Sequence, residues 1–247
     1  MLCGACIHDN TLAAAMQRQG HDVALIPTYT PIRTDEADVS IDRVFYGGVN
    51  VYLQQKASLF QHTPWALDRM LDGKPLLNAL SRFSSSTSAR DLGALTVSVL
   101  RGEDGRQRKE LTKLIAWLRD DYRPDIVQLT NSMFVGMAAP MKTALKVPVI
   151  CALQGEDIFL DDLIAPYATE ARDEMRARAQ DVDAFIAPCD YYAGAMVNTM
   201  DVPAERVRAI PLGLDLTGHR TDPPPKSGDP FVVAYLARIC PEKGLHL

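Results

Sequence analysis

The chain has 247 residues, longer than one ordinary α/β domain and short of two full ones. It is 47% hydrophobic and 23% charged, the balance of an ordinary globular protein, with a net charge of −5 and a pI near 5.5. That acidity argues against nucleic acid as a partner, because a phosphate polymer rewards a basic face, and no apolar run approaches the ~20 residues of a membrane-spanning helix.

From the N-terminus, Gly4 precedes a helical pattern. Leu12, Ala13, Ala15 and Met16 fall at helical spacing over residues 11–18, and Gly20 is read as the residue that ends the helix. Residues 23–26 (Val-Ala-Leu-Ile) read as a buried strand. Residues 44–46 (Val-Phe-Tyr) read as a short strand stopped by Gly47-Gly48, with a helix over 51–60 after it. The serine-rich run at 84–88 reads as a loop. Residues 110–119 form an amphipathic helix with Trp117 turned inward, broken by Pro124. Strands are expected over 125–129, 147–153, 184–187 and 207–210, and helices over 136–146, 168–179 and from about Tyr191. This alternation predicts an α/β fold, a Rossmann-like parallel sheet with helices on both faces.

Residues 221–230, rich in proline, cannot be helix or sheet and read as a linker, with a new buried strand beyond it over 231–236. The expected organisation is a domain over 1–219, a linker over 220–230, and the first strand and turn of a second domain over 231–247. Seventeen residues are too few for a core of their own, and only two residues precede Cys3-Gly4. Truncation at both ends is therefore expected, with the first strand missing.

Five cysteines, Cys3, Cys6, Cys151, Cys189 and Cys240, are odd in number. Cys3-Gly4-Ala5-Cys6 has the C-x-x-C form, but no second pair of ligands accompanies it, so thiols in a reducing compartment are expected and no metal site.

Polar groups gather where open α/β sheets bind ligands, at the carboxyl ends of strands. Thr130 and Asn131 follow the 125–129 strand, and Gln154, Gly155, Glu156 and Asp157 follow the next. Glu156 and Asp157 are read either as base or ligand anchor, or as caps of the following helix. Gly47 and Gly48, with Asn50 beside them, fit either a tight turn or a close backbone approach to a ligand. Arg238 and Lys243 lie five apart; alone such a pair is usually two solvated surface charges, though across a turn both cations can converge on one anion.

The order of these motifs resembles family 4 of the retaining glycosyltransferases. The segment from Gly4 to Val23, with Gln19-Gly20-His21-Asp22-Val23, is similar to that family's opening, where a Gly-Gly turn starts a helix; Cys3 stands for the first glycine. Thr130 and Gln154 stand where the family often carries histidine. Ile210-Pro211-Leu212-Gly213-Leu214-Asp215 is similar to its Pro-Asn-Gly-Val-Asp crossing, and Ala237-Arg238-Ile239-Cys240-Pro241-Glu242-Lys243-Gly244 resembles the Gly-Arg-x-x-x-x-Lys-Gly turn that opens its donor domain. The resemblance implies one half of a two-domain GT-B fold and a hexosyltransferase of carbohydrate biosynthesis. It moves a sugar from a nucleotide-diphosphate donor to an acceptor hydroxyl, with retention and without cofactor or metal. Arg238 and Lys243 are implied to bind the diphosphate and act in catalysis. Gly4, Gly47, Gly48, Asn50, Thr130, Asn131, Gln154, Glu156 and Asp157 are implied to line the acceptor site. The family's Glu-x7-Glu pair would lie beyond Leu247, so these 247 residues alone are expected not to turn over nucleotide sugar. The acceptor is expected to be a sugar or lipid-linked glycan, and the location cytoplasmic, with peripheral contact at the inner membrane face. Two other readings differ in class. A non-catalytic glycan-binding fragment would lack turnover, and a nicotinamide-dependent enzyme lacks its G-x-G-x-x-G signature here.

Overall fold

A computed structural model describes residues 4–29, 31, 32, 34, 36–47, 51, 54, 55, 89–218, 233–237, 239 and 243–246. Its centre is a sheet of four strands: β1 (Val127–Leu129), β2 (Val149–Ala152), β3 (Ala184–Ala187) and β4 (Val207–Ala209). Their order in the sheet is their order in the chain, and every neighbouring pair is parallel. Parallel neighbours need a crossover between them, and helices supply each one. A 3-10 turn (Ser132–Met137) and α4 (Ala138–Leu145) join β1 to β2. Helices α5 (Glu156–Asp161) and α6 (Tyr167–Ala179) join β2 to β3, and α7 (Asp190–Met200) joins β3 to β4. Before the sheet come α1 (Gly4–Arg18), α2 (Ala89–Leu100) and α3 (Arg108–Trp117). The α/β reading with a parallel sheet flanked by helices therefore holds.

The core explains why these segments keep still. Phe185 at the sheet centre, Met175 of α6 and Met196 and Met200 of α7 are fully buried, as are Met141 of α4 and Leu160 of α5. Burying each such side chain stabilises the fold by roughly 1.5–3 kcal/mol before entropy opposes it.

Several expectations need adjustment. Residues 23–26 form no strand; Leu25 makes only one parallel bridge, to Ser40, and Thr28 pairs likewise with Phe45. Helix α3 runs into a π-helical turn over Leu118–Tyr122 ahead of Pro124, and Trp117 is only half-buried. Its ring stacks on Tyr122, 5.6 Å between centroids, and tilts against Phe45 at 5.2 Å. The described residues of the expected 51–60 helix, Val51, Gln54 and Gln55, are helical; the rest lie outside the described residues, as does the serine run.

Contacts divide the chain into Met1–Leu214 and Asp215–Leu247. In the second unit the described part of the expected 231–236 strand, residues 233–236, forms none, and Val233 and Leu236 are 81% and 102% exposed. A strand exists through a ladder of its neighbour's amides and carbonyls, and these residues are not part of such a ladder.

Candidate functional site

The carboxyl ends of β1 and β2 meet one helix. Thr130 is the first residue past β1 and Gln154 the second past β2, and pairing Leu129 with Cys151 sets the two ends side by side. The Gln154 side-chain amide donates to the Thr130 carbonyl at 2.6 Å and lies 3.1 Å from the Thr130 hydroxyl. Both face Asp9 of α1. The Thr130 hydroxyl donates to Asp9 Oδ2, and Gln154 Nε2 lies 3.3 Å from Asp9 Oδ1. His8 Nδ1 donates to the same Oδ1 at 3.1 Å. All four side chains are half-buried, so the cluster is open to one side.

Behind it lies a second, sealed cluster. Glu156 is 6% exposed and accepts three hydrogen bonds: the Ser132 amide on Oε1 at 2.7 Å, and the Gln154 amide at 2.7 Å and the Tyr192 hydroxyl at 2.9 Å on Oε2. Tyr192, from α7, accepts from the amides of Gly155 and Glu156 at 3.0 and 2.9 Å, and its oxygen is also 3.0 Å from Asp157 Oδ1. Its single proton therefore serves one carboxylate at a time. Burial, then the charge of Glu156 and its hydrogen bond, then Asp157, push the Tyr192 phenol far above its ordinary range, so it stays protonated. Burial and Glu156 likewise push the Cys151 thiol up, which makes it a packing residue and no nucleophile. Gly155, with φ +93, makes the turn that aims three successive amides inward; a side chain there would be strained at about 1–2 kcal/mol.

These contacts sort the residues singled out by the sequence. Thr130 and Gln154 come together. Asn131 adjoins them, but its side chain caps the 3-10 turn by accepting from the Met133 amide at 3.0 Å. Glu156 is built into the scaffold with both oxygens occupied, and Asp157 lies beside Tyr192 without capping α5, whose N-cap is Gly155. Gly4 is the exposed first residue of α1, and one turn further on His8 and Asp9 make the contact with the sheet edge. Gly47 is buried, its carbonyl accepting from the Val51 amide at 3.0 Å. Beside it Tyr46 meets Tyr29 edge-on, and Tyr29 stacks on Phe134 at 5.8 Å in the turn after β1. Both tyrosines have left-handed backbones, φ 55 and 65, a strain sustained by this packing. Gly48, Asn50 and Arg238 lie outside the described residues; Lys243 lies in the second unit, its carbonyl 3.4 Å from the Tyr235 hydroxyl. Sequence reasoning missed His8, Asp9 and Tyr192. For Asp9 the available signal was a run of polar residues, His8 to Thr11, inside an otherwise apolar-patterned helix.

Among the described residues no group of three His, Cys, Asp or Glu side chains is disposed to hold a metal ion, and no helix is long and apolar enough to cross a membrane.

A parallel sheet whose carboxyl edge gathers hydrogen-bonding side chains defines a ligand-binding α/β domain of the Rossmann-like class. Residues 8–213 match the Glycosyl transferase 4-like domain, and the chain belongs to that family. No curated protein matches the sequence. The chain is thus a glycosyltransferase by family, and a sugar donor and a glycan acceptor are its substrates in general terms.

Proposed function

We propose that the protein transfers a sugar from a nucleotide-diphosphate donor to an acceptor hydroxyl with retention of anomeric configuration, and that the edge of β1 and β2 holds the acceptor. The observation that carries the acceptor assignment is the meeting of Thr130 and Gln154 with Asp9 at a half-open strand edge, in a chain of this family. In the reaction a bond forms between the acceptor oxygen and the anomeric carbon while the bond from that carbon to the phosphate oxygen breaks. The acceptor's proton passes to the departing diphosphate. Arg238 and Lys243 are the groups we assign to that diphosphate, because negative charge grows there and fixed cations stabilise it without a metal. The acceptor class we assign is a sugar or lipid-linked glycan, with peripheral contact at the cytoplasmic membrane face.

The test is release of nucleoside diphosphate by the full-length protein from a panel of uridine, guanosine and adenosine diphosphate sugars, with and without candidate acceptors. Acceptor-stimulated release, with the donor's anomeric configuration kept in the product by proton NMR coupling, is the expected result. Inverted product removes the retaining assignment. Glycan binding without release from any donor makes the chain a binding module.

A further inference from the structure

Counting hydrogens at the strand edge limits what the acceptor can be. Asp9 has only acceptors to offer, so the bonds from His8, Thr130 and Gln154 all run towards it. The Thr130 hydroxyl spends its one hydrogen on Asp9. Gln154 Nε2 has two, one directed at the Thr130 carbonyl and one shared between the Thr130 hydroxyl oxygen and Asp9. This orientation of the amide is forced, because turning its oxygen inward would set it against a carbonyl and a carboxylate. His8 Nδ1 directs its hydrogen to Asp9 as well. What Asp9, Thr130 and Gln154 still present is all of one kind: the Gln154 Oε1 and the remaining lone pairs of Asp9 and of the Thr130 hydroxyl. Asp9 keeps 15% of its side chain exposed.

We propose that Asp9 is a specificity-determining residue that makes this edge accept a hydroxyl-donating, unphosphorylated sugar and reject a phosphorylated one. A sugar hydroxyl brings a hydrogen to these acceptors, whereas a phosphate brings two negative charges and several further acceptors to three side chains, Asp9, Thr130 and Gln154, that present no free donor between them. Histidine at positions 130 and 154 would supply donors there; threonine and glutamine held by Asp9 do not. The proposal rests on the assignment of this edge to the acceptor.

The probes are the methyl α-glycosides of glucose, galactose and mannose, each beside its 6-phosphate, titrated onto the full-length protein by saturation-transfer NMR. At least one neutral glycoside is expected to bind, its 6-phosphate at least tenfold more weakly. Asp9→Asn, which puts a donor amide where the carboxylate stood, should weaken the neutral ligand at least fivefold and narrow that preference. Thr130→Ser should keep binding and Thr130→Val lose it, a rescue that loss of folding would not produce. Each variant's melting temperature is measured alongside. Phosphate esters binding as well as their parents, no glycoside binding at all, or an unchanged preference in a folded Asp9→Asn protein overturns the proposal. Nucleoside diphosphate release is followed separately, so failure of sugar transfer and failure of this selectivity remain distinct.

Discussion

Both oxygens of Glu156 are occupied, by the amides of Ser132 and Gln154 and by Tyr192, so the carboxylate ties the loop after β1 to the loop after β2. Glu156→Gln replaces one oxygen with a donor that faces an amide or hydroxyl it cannot satisfy. The expected loss is about 1–3 kcal/mol of stability in urea melts, and an unchanged midpoint would show that the tie is dispensable. A second carboxylate has a pH signature. Asp183 accepts from Lys142 at 2.7 Å and from the Val149 amide at 2.8 Å. Burial pushes its pKa up, but these two bonds and the charges of Lys142 and Arg206 outweigh it and hold the group below its ordinary value. A depressed folded pKa means the stabilisation is complete above the unfolded carboxyl's value, near 4, and disappears as pH falls through the lower folded value. Asp183→Asn should therefore be less stable at neutral pH, with the gap to wild type closing below about pH 4 in melts taken across that range. The identities of Thr130 and Gln154 made them legible as strand-end groups, because strand ends can be read from an apolar run. Asp9 was legible only as part of the polar run His8 to Thr11: which of those residues meets the sheet depends on which turn of α1 abuts it, and that is set by packing far along the chain.

At the scale of elements, segments with one dominant local signal were readable. Residues 184–187 were expected as a strand and are β3, an apolar run between Asp183 and Pro188. Helix α2 was invisible. Its second half, Leu95-Thr96-Val97-Ser98-Val99-Leu100, is rich in β-branched residues that disfavour helix, and it is helical because Val97, Val99 and Leu100 are buried in the core, with α2 packed on α6. Its end meets the turn after β1 through two glycines. A Cβ on Gly136 would stand 2.1 Å from the Leu100 carbonyl oxygen and 2.8 Å from the Gly102 nitrogen, backbone atoms that cannot swing aside. Gly136→Ala should cost about 1–3 kcal/mol or more, whereas Gly194→Ala, mid-helix in α7 with nothing within 4 Å, should stabilise by up to about 1 kcal/mol. Thermal midpoints moving in opposite directions are the expected outcome. A neutral Gly136→Ala would mean that α2 and the turn can separate without penalty.

At the scale of the whole molecule, the sequence match ends at residue 213, and the contact boundary falls one residue later, after Leu214. The strand edge proposed to hold the acceptor lies in the first unit and Lys243 in the second, so removing Lys243 should leave binding at that edge intact. If Lys243 faces the departing diphosphate, its contact strengthens as the sugar–phosphate bond breaks, so its loss falls on the rate of chemistry more than on binding. Deleting one such fixed donor typically costs about 10²–10³ in rate, roughly 3–4 kcal/mol. Lys243→Ala in the full-length protein should therefore reduce the transfer rate by about that factor, while glycoside binding at the Asp9 edge, followed by NMR, stays at the wild-type level. Arg238→Lys should be similarly impaired, because an ammonium does not reproduce the planar fork that grips two phosphate oxygens. Near-normal turnover in both variants would make these residues solvated surface charges and remove the diphosphate assignment, leaving the acceptor edge to stand on its own geometry.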